Sequence, residues 1–585
     1  MIYDFSFFNT SRDEKFFLYI LARTAKSLHL DAFFYTHAEH THCLLPDISA
    51  LSESYKTYIS TDGNPLESYR NNDINYAQNI LQFANDMAHN MPLSLYFYFL
   101  QLTPINPPKD FYEALNIPSS PISLSDICTH ALPLGSPQIT SDTILHNTES
   151  ILAHFDTPKT YYYTPLAFQH ILNPSSGTFG LLNPPNTPAH KPFTEPSKDY
   201  FTQSVQSLKS GESITFSTSR GTQLLSLVPT SSTHTTIACD IASLKTYFRA
   251  HQTHIDILAS FEKPLTHLVP KEVFQSQFPI NKCGLVQVGL PYDMPLALLG
   301  ALLLQEEISY FFLSHTTEST PFDFQHSPSP KEQILSIAQN GIFIDTHITQ
   351  GNTLQSLIDA HLNPKDNQRH LVIYLSTRNP SAFLIVEQTA RILLDIAFEN
   401  NPRLILENIA RSYESGDELL KNFSRLFPNL ASNAFTLPST FMPSSNLIDI
   451  FDSAATILGF HAQESNDKNA IFYRAYRFVR ERGPRIDYKL LRKDNEISLD
   501  YHRIIRSCLS FKCAGMEDEI LCFGLLDSLS EFVATLVRDT LTNLAIDKVL
   551  LLGDMLSHHI FLDRILEYLP KNIQLLLPKD GLIDY

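Results

Sequence analysis

The 585-residue chain contains no tryptophan and no Cys-x-x-Cys pair. Its seven cysteines, Cys43, Cys128, Cys239, Cys283, Cys508, Cys513 and Cys522, are scattered and odd in number. That excludes a paired-thiol zinc framework and points to buried or free thiols in a reducing compartment. Walker A, Gly-x-Gly-x-x-Gly and Gly-x-Ser-x-Gly motifs are absent, which removes the P-loop, Rossmann and nucleophile-elbow readings. No two histidines stand four apart, so no His-x-x-x-His pair can ligate a metal from one helix face. There is no basic run, and 43 Lys and Arg against 61 Asp and Glu give a net charge of −18. Phosphate contact needs a positive field, so nucleic acid and anionic membranes are poor partners. Met1 to Phe17 carries Asp4, Arg12, Asp13, Glu14 and Lys15, and lacks the apolar stretch of a signal peptide. The most apolar window, Pro295 to Leu313, is broken by Glu306 and Glu307. It reads as core, without membrane insertion, and the expected location is cytoplasmic.

What is present describes an ordinary globular protein, 43% apolar and 18% charged. Its length allows roughly three to four domains. Ser11 to Glu14 fits a capping box ahead of a helix bearing Phe16, Phe17, Ile20 and Leu21. Residues 1–172 otherwise read as an α+β region of uncertain fold. Residues 173–198 hold six prolines and form a linker. Residues 199–284 read as a small α/β block, with a helix over Tyr200 to Lys209, a strand over Ser213 to Ser217 and a helix from Ile241 to Ala250. Residues 285–585 alternate helix and strand. Pro330 to Gln339 is expected to be helical. Leu371 to Leu375 and Phe383 to Val386 are expected to pair across a Thr-Arg-Asn-Pro turn. Helices over Asn446 to Phe460 and Met516 to Leu544 precede a buried parallel strand at Val549 to Leu552. A helix from Ser557 and a strand from Ile573 to Leu577 follow.

Several clusters carry ligand-type side chains. His37, His40, His42 and Cys43 fall within seven residues and could hold Zn²⁺ or Ni²⁺ through imidazole and thiolate; incidental histidines in a polar loop are the simpler reading. His251 and His254 stand three apart and read as solvated. His558 and His559 read as surface residues at a helix start, because neighbours on a helix point about 100° apart. Glu306 and Glu307 read as capping or surface groups. Arg477, Arg480, Arg482 and Arg485 read mainly as a solvated helix end.

Ser444 to Ala454 resembles the helix motif of the HypF-type carbamoyltransferases, which mature nickel-iron hydrogenases. Leu499 to Leu509 resembles the segment that follows it, and Glu519 to Asp584 the family's closing helix–strand–helix–strand. Leu290 to Gly300 resembles the opening strand of the same domain. The resemblance implies an actin/Hsp70-like two-lobed domain of ribonuclease-H-like repeats over 285–585, shared with the tRNA threonylcarbamoyl transferases. It also implies a YrdC-like remnant within 199–284. Gly300, Asp452, Gly553, Asp554 and Gly581 then fall at the nucleotide site, and Asp580 matches the family's late metal-ligating Asp.

The departures are as informative. The family's Gly-Gly after the final strand is Gly553-Asp554 here, and a carboxylate repels phosphate unless a metal intervenes. The polar pair that follows reads Ser557-His558. The phosphate loop matches Leu304-Gln305-Glu306, the Gly-Arg of the helix motif Ile448-Asp449, and the Glu-Gly pair Asp467-Lys468. The metal-binding His pair is missing. The expected function is an accessory role in nickel-iron hydrogenase maturation, by a catalytically degenerate relative that binds a hydrogenase subunit or maturation proteins. Two alternatives stay open: an active ATP-dependent carbamoyltransferase with ATP-Mg²⁺ bound, and a nickel- or zinc-handling chaperone using His37, His40, His42 and Cys43.

Overall fold

The structure is a computed structural model, and it describes residues 2–11, 14–30, 32–37, 39–46, 76–91, 94–105, 198–218, 220–292, 294–315, 332–346, 353–362, 368–460, 469–478, 482–493, 496–578 and 581–585. The 173–197 part of the expected linker, together with Cys128, Asp467, Lys468, Arg480 and Asp580, lies outside the described residues. The chain divides into two compact units. One comprises Met1–Thr246, Ile255–Pro264 and Gly289–Glu332; the other comprises Tyr247–His254, Leu265–Val288 and Gln333–Tyr585.

The first unit opens with β1 (Ile2–Asn9), α1 (Glu14–Ser27), β2 (Phe33–His37), β3 (His40–Pro46), α2 (Tyr76–Asn90) and β4 (Phe97–Ile105). The sheet order is β2-β3-β1-β4 with every pair antiparallel, the split βαββαβ arrangement. The helix expected after Ser11 is α1, which buries Phe17, Leu18 and Leu21. Phe5 and Phe7 of β1 meet Phe83 of α2, Phe17 of α1 and Phe97 of β4 in one aromatic core. A second sheet in this unit runs β5 (Ile214–Thr218), β6 (Gly221–Ser226), β10 (Tyr310–His315), β7 (Thr233–Ala238). Helices α3 (Lys198–Lys209), α4 (Ile241–Tyr247) and α6 (Met294–Gln305) accompany it. Helix α5 is Gln252–Leu258. The apolar window at 295–313 is thus a buried helix and strand. Leu290 to Gly300 is not the opening strand it resembles. The strand is the preceding Val286–Gly289, and Met294 begins α6, whose apolar residues lie on all sides of a buried helix.

The second unit holds β8 (Leu265–Leu268), β9 (Val286–Gly289), β11 (Ile334–Ile337) and β12 (Phe343–Asp345) in the order β12-β11-β8-β9. The helix expected at Pro330 to Gln339 is therefore a strand. Leu335 and Ile337 are fully buried, and Ala338 to Ile342 make a hairpin turn in which Gly341 takes φ 87°.

Its main sheet has β13 (His370–Tyr374), β14 (Ala382–Val386), β15 (Ala390–Leu394), β20 (Lys548–Leu552) and β21 (Gln574–Leu576) in the order β15-β14-β13-β20-β21. The first three strands form an antiparallel meander; β20 and β21 join β13 in parallel. Short pairs β16 (Phe398–Glu399) with β17 (Pro443–Ser444), and β18 (Leu490–Lys493) with β19 (Glu496–Leu499), lie outside it. Helices α7 (Leu354–His361), α8 (Pro402–Ser412), α9 (Gly416–Leu426), α10 (Pro428–Thr436), α11 (Ile448–Leu458), α12 (Ala470–Arg477), α13 (Tyr501–Cys513), α14 (Asp518–Leu544) and α15 (His559–Tyr568) complete the unit. Among the described residues α14 alone is long and apolar enough to cross a membrane, and most of its apolar stretch is buried in the core.

Candidate functional site

Strands β13 and β20 lie side by side in parallel, with Tyr374 opposite Leu552, so their carboxyl ends open at one place. Leu375 N donates to Leu552 O at 2.9 Å and Met555 N to Leu375 O at 3.2 Å. Gly553 lies between these bonds with φ 105°, and a Cβ there would stand 2.0 Å from the Leu375 carbonyl oxygen. No other residue fits. Asp554 follows at once, and its carboxylate accepts from Thr377 N at 2.6 Å and Thr377 Oγ1 at 2.7 Å.

The hairpin loop after β13 is pre-shaped by Ser376, whose Oγ accepts from Arg378 N at 3.0 Å and Asn379 N at 3.1 Å. A second carboxylate, Asp584, is fully buried. It accepts from Tyr374 Oη, from Ser376 Oγ at 2.8 Å and from Tyr585 N at 2.8 Å. Asn379 Nδ2 ties the loop to Asp584 and to the Tyr585 carbonyl. The half-exposed Arg378 guanidinium bridges both acids, 3.4 Å from Asp554 and 3.2 Å from Asp584. Burial raises the pKa of Asp554, although Thr377 opposes the shift. Asp584 also loses solvation, but its donors more than compensate and hold its pKa below the ordinary carboxylate value. The result is two carboxylates and one cation with their hydrogen bonds made inside the chain.

This arrangement includes Gly553 and Asp554 from the expected nucleotide set. Gly581 is close in sequence: it starts the 581–585 segment, takes φ 74°, and accepts from Ile583 N, while Gly553 N donates to Ile583 O. Asp452 sits partly buried on α11. Gly300 belongs to the other unit, where it packs α6 against Cys239; a Cβ there would stand 3.5 Å from the Cys239 backbone. Tyr374, Thr377, Arg378 and Asp584 escaped the sequence reading. The 376–381 stretch reads only as a turn, and its partners lie about two hundred residues downstream.

The His37 to Cys43 cluster does not converge. His42 and Cys43 are neighbours on β3, so their side chains leave opposite faces. Cys43 is fully buried in the aromatic core, where desolvation pushes its thiol pKa far up. His42 Nδ1 pairs with Asp4 at 3.0 Å and its ring stacks on Tyr35 at 4.4 Å. His37 and His40 face each other across the hairpin, exposed. Among the described residues no group of three or more His, Cys, Asp or Glu is placed to hold a metal ion.

Of the other histidines read as solvated, His251 is exposed, but His254 and His558 are not. His254 is 2% exposed, and burial lowers its pKa to about 4. Its ring lies 6.0 Å from that of His559. His558 does start helix α15, as the sequence suggests, but its ring stacks 3.8 Å from Phe472 instead of facing water, and burial takes its pKa to about 3. His267 on β8 is likewise held neutral, at about 4. In the first unit a buried polar group also went unseen. Arg220 lies 4.1 Å over the Tyr292 ring and donates to Glu262 O and Lys263 O. Lys263, at φ 44°, donates to Ala259 O and Ser260 O.

No family model matches the chain. Two solved structures share its fold over nearly its whole length. Full-length HypF in the phosphate- and nucleotide-bound form covers 99% of this chain and 96% of its own, with a TM-score of 0.50 and 11% identity. HypF of T. kodakarensis covers 99% and 95%, with a TM-score of 0.53 and 10% identity. The chain is thus a mixed α/β protein with a HypF-like fold. Protein HydE of Wolinella succinogenes is 30% identical over 538 residues, 87% of this chain and 91% of that protein. The chain belongs to the HydE family.

Proposed function

We propose that this protein is an accessory factor for nickel-iron hydrogenase maturation that works by binding hydrogenase or maturation proteins, with a nucleotide site that no longer turns over. Kinship with HydE and the HypF-like fold support the maturation role. The strand order β15-β14-β13-β20-β21, a meander joined by two parallel strands, supports reading the main sheet as a ribonuclease-H-like repeat of an actin-like domain. Such a site receives phosphate where backbone N–H groups of the strand-end loops are free.

One observation carries the silent reading. The Thr377 N–H and hydroxyl at the loop are taken by the Asp554 carboxylate, and Arg378 bridges Asp554 and Asp584, offsetting one of their two charges where a bound cation would otherwise sit. An internal anion and an internal cation replace phosphate and metal. A phosphate arriving there would meet a carboxylate in a low-dielectric setting, where like charges repel strongly. The 199–284 block as a shortened YrdC-like remnant, and the cytoplasmic location, belong to the same proposal.

A deletion strain tests the role. Nickel-iron hydrogenase activity is expected to fall while subunit synthesis continues, and tagged protein is expected to copurify with a hydrogenase subunit or maturation factor. Wild-type activity in the deletion strain would contradict the role.

A further inference from the structure

Five histidines of the second unit gather around the start of α15, where His559 lies within electrostatic reach of His251, His254, His267 and His558. His558 is the N-cap of this helix and His559 its first residue. The His558 ring stacks on Phe472, and its Nδ1 lies 3.5 Å from Tyr476 Oη. The His559 ring lies 4.8 Å from that of Tyr476 and 6.0 Å from that of His254, which in turn lies 5.7 Å from His251. The Tyr476 oxygen also receives the backbone N–H groups of His559 and Ile560. His254 Nδ1 accepts from His251 N at 3.3 Å, so its proton sits on Nε2 and a second proton would break that bond. Among the described residues, burial and the other histidines act most strongly on His254, His267, His558 and His559; no carboxylate compensates them. The nearest acid, Asp563, lies one turn along α15 and faces His251 and Tyr476, with Arg564 and Glu567 beside it; its carboxylate accepts from Gln339 N at 2.6 Å. Cys283 adjoins Tyr476.

An imidazolium in this cluster loses hydration and repels any neighbour that also charges. At His558 and His559 it also meets the positive end of the helix dipole. The start of α15 is joined to the strand-end site by the four-residue turn Asp554–Ser557, in which Ser557 Oγ donates to Asp554 O at 2.6 Å and His558 N to Met555 O at 3.2 Å. Helix α14 and strand β20, by contrast, contain no histidine. We propose that the cluster is a proton-operated latch on the strand-end site: proton uptake opens the first turn of α15 and the Asp554–Ser557 turn with it, and releases Thr377 from Asp554 while the core of the unit stays folded. The imidazoles are neutral in the closed form and take up protons once open. The latch is therefore shut above the ordinary histidine pKa of about 6.5, and opening is favoured as pH falls below it.

Hydrogen exchange of the full-length protein at pH 8 and pH 5, with rates corrected for the intrinsic effect of pH, tests the latch. Protection over residues 554–562 and at the Thr377 amide is expected to fall about tenfold or more at pH 5, while α14 and β20 keep theirs. In the double variant His558→Gln, His559→Gln, exchange of α14 and β20 at pH 8 verifies the fold, and the loss at pH 5 is expected to be about threefold smaller or less. Asp554, whose pKa burial also raises, is common to both proteins, so the difference between them belongs to the histidines. Equal protection of 554–562 at both pH values, a loss that comes only together with α14, or a loss that the folded variant retains in full would overturn the proposal. The wild-type profile decides it by the first two of these where the variant does not fold. None of these readouts involves a hydrogenase, so the outcome is independent of the maturation role.

Discussion

In the β2–β3 hairpin, His37, His40, His42 and Cys43 stand close in sequence, yet the strand sends Cys43 to the face opposite the three histidines. At the ends of β13 and β20, residues up to 210 positions apart meet within hydrogen-bond distance. The contrast follows from backbone geometry. A strand sends neighbouring side chains to opposite faces, so a dense run of donors on one strand is divided between core and solvent. Two parallel strands gather their following loops at one edge, so distant residues converge there whatever their spacing. The hairpin cluster is therefore divided between core packing and one surface pair, and the strand-end cluster forms one satisfied polar network.

Breaking the strand-end cluster should cost most. Gly553→Ala places a Cβ against the Leu375 carbonyl at a φ that L-residues avoid. Chemical denaturation should show a loss on the order of 4 kcal/mol, or no folded protein. Asp584→Ala leaves Tyr374, Ser376 and Arg378 facing a vacated buried position. The expected loss, by the same assay, is about 3–5 kcal/mol.

A pH titration of stability reports the buried imidazoles. His254 titrates near 4 when folded and near its ordinary value when unfolded. Its contribution is complete above the unfolded pKa of about 6.5 and is lost as pH falls from there toward 4, where it levels off. At pH 5 the loss is about 2 kcal/mol from this residue. His267 and His558 act in the same direction. Replacing His254 with Gln should flatten that part of the profile.

Asn401 gives a smaller effect. It caps α8 through Arg403 N and Leu404 N and donates to Pro438 O and Thr440 O. Asn401→Ala should cost about 2 kcal/mol. On the other side of the comparison, His37→Ala with His40→Ala alters exposed positions only. Stability should stay within about 0.5 kcal/mol, and metal content after dialysis should not change.

Much of the second unit was legible. The paired strands at 371–375 and 383–386, helices α11 and α14, and the parallel strand at 549–552 all follow from apolar periodicity and turn residues, which are local signals. Pro330 to Gln339 misled because a short apolar run fits helix and strand equally, and pairing with β8 and β12 decides it. The βαββαβ topology of the first unit was not legible, since strand order is set by contacts across the sheet. At the site, Gly553-Asp554 was visible as a departure from Gly-Gly. Its partner Thr377 was not, because no spacing rule links positions 177 residues apart.

The central claim is that an internal anion and cation fill the site, and calorimetry with ATP-Mg²⁺ on the folded full-length protein tests it most directly. The account predicts no measurable heat of binding. Binding at micromolar Kd, about 8 kcal/mol of recognition, would contradict it: the Asp554–Thr377 and Arg378 contacts would then have to open for the ligand, and the active carbamoyltransferase reading would replace the silent one.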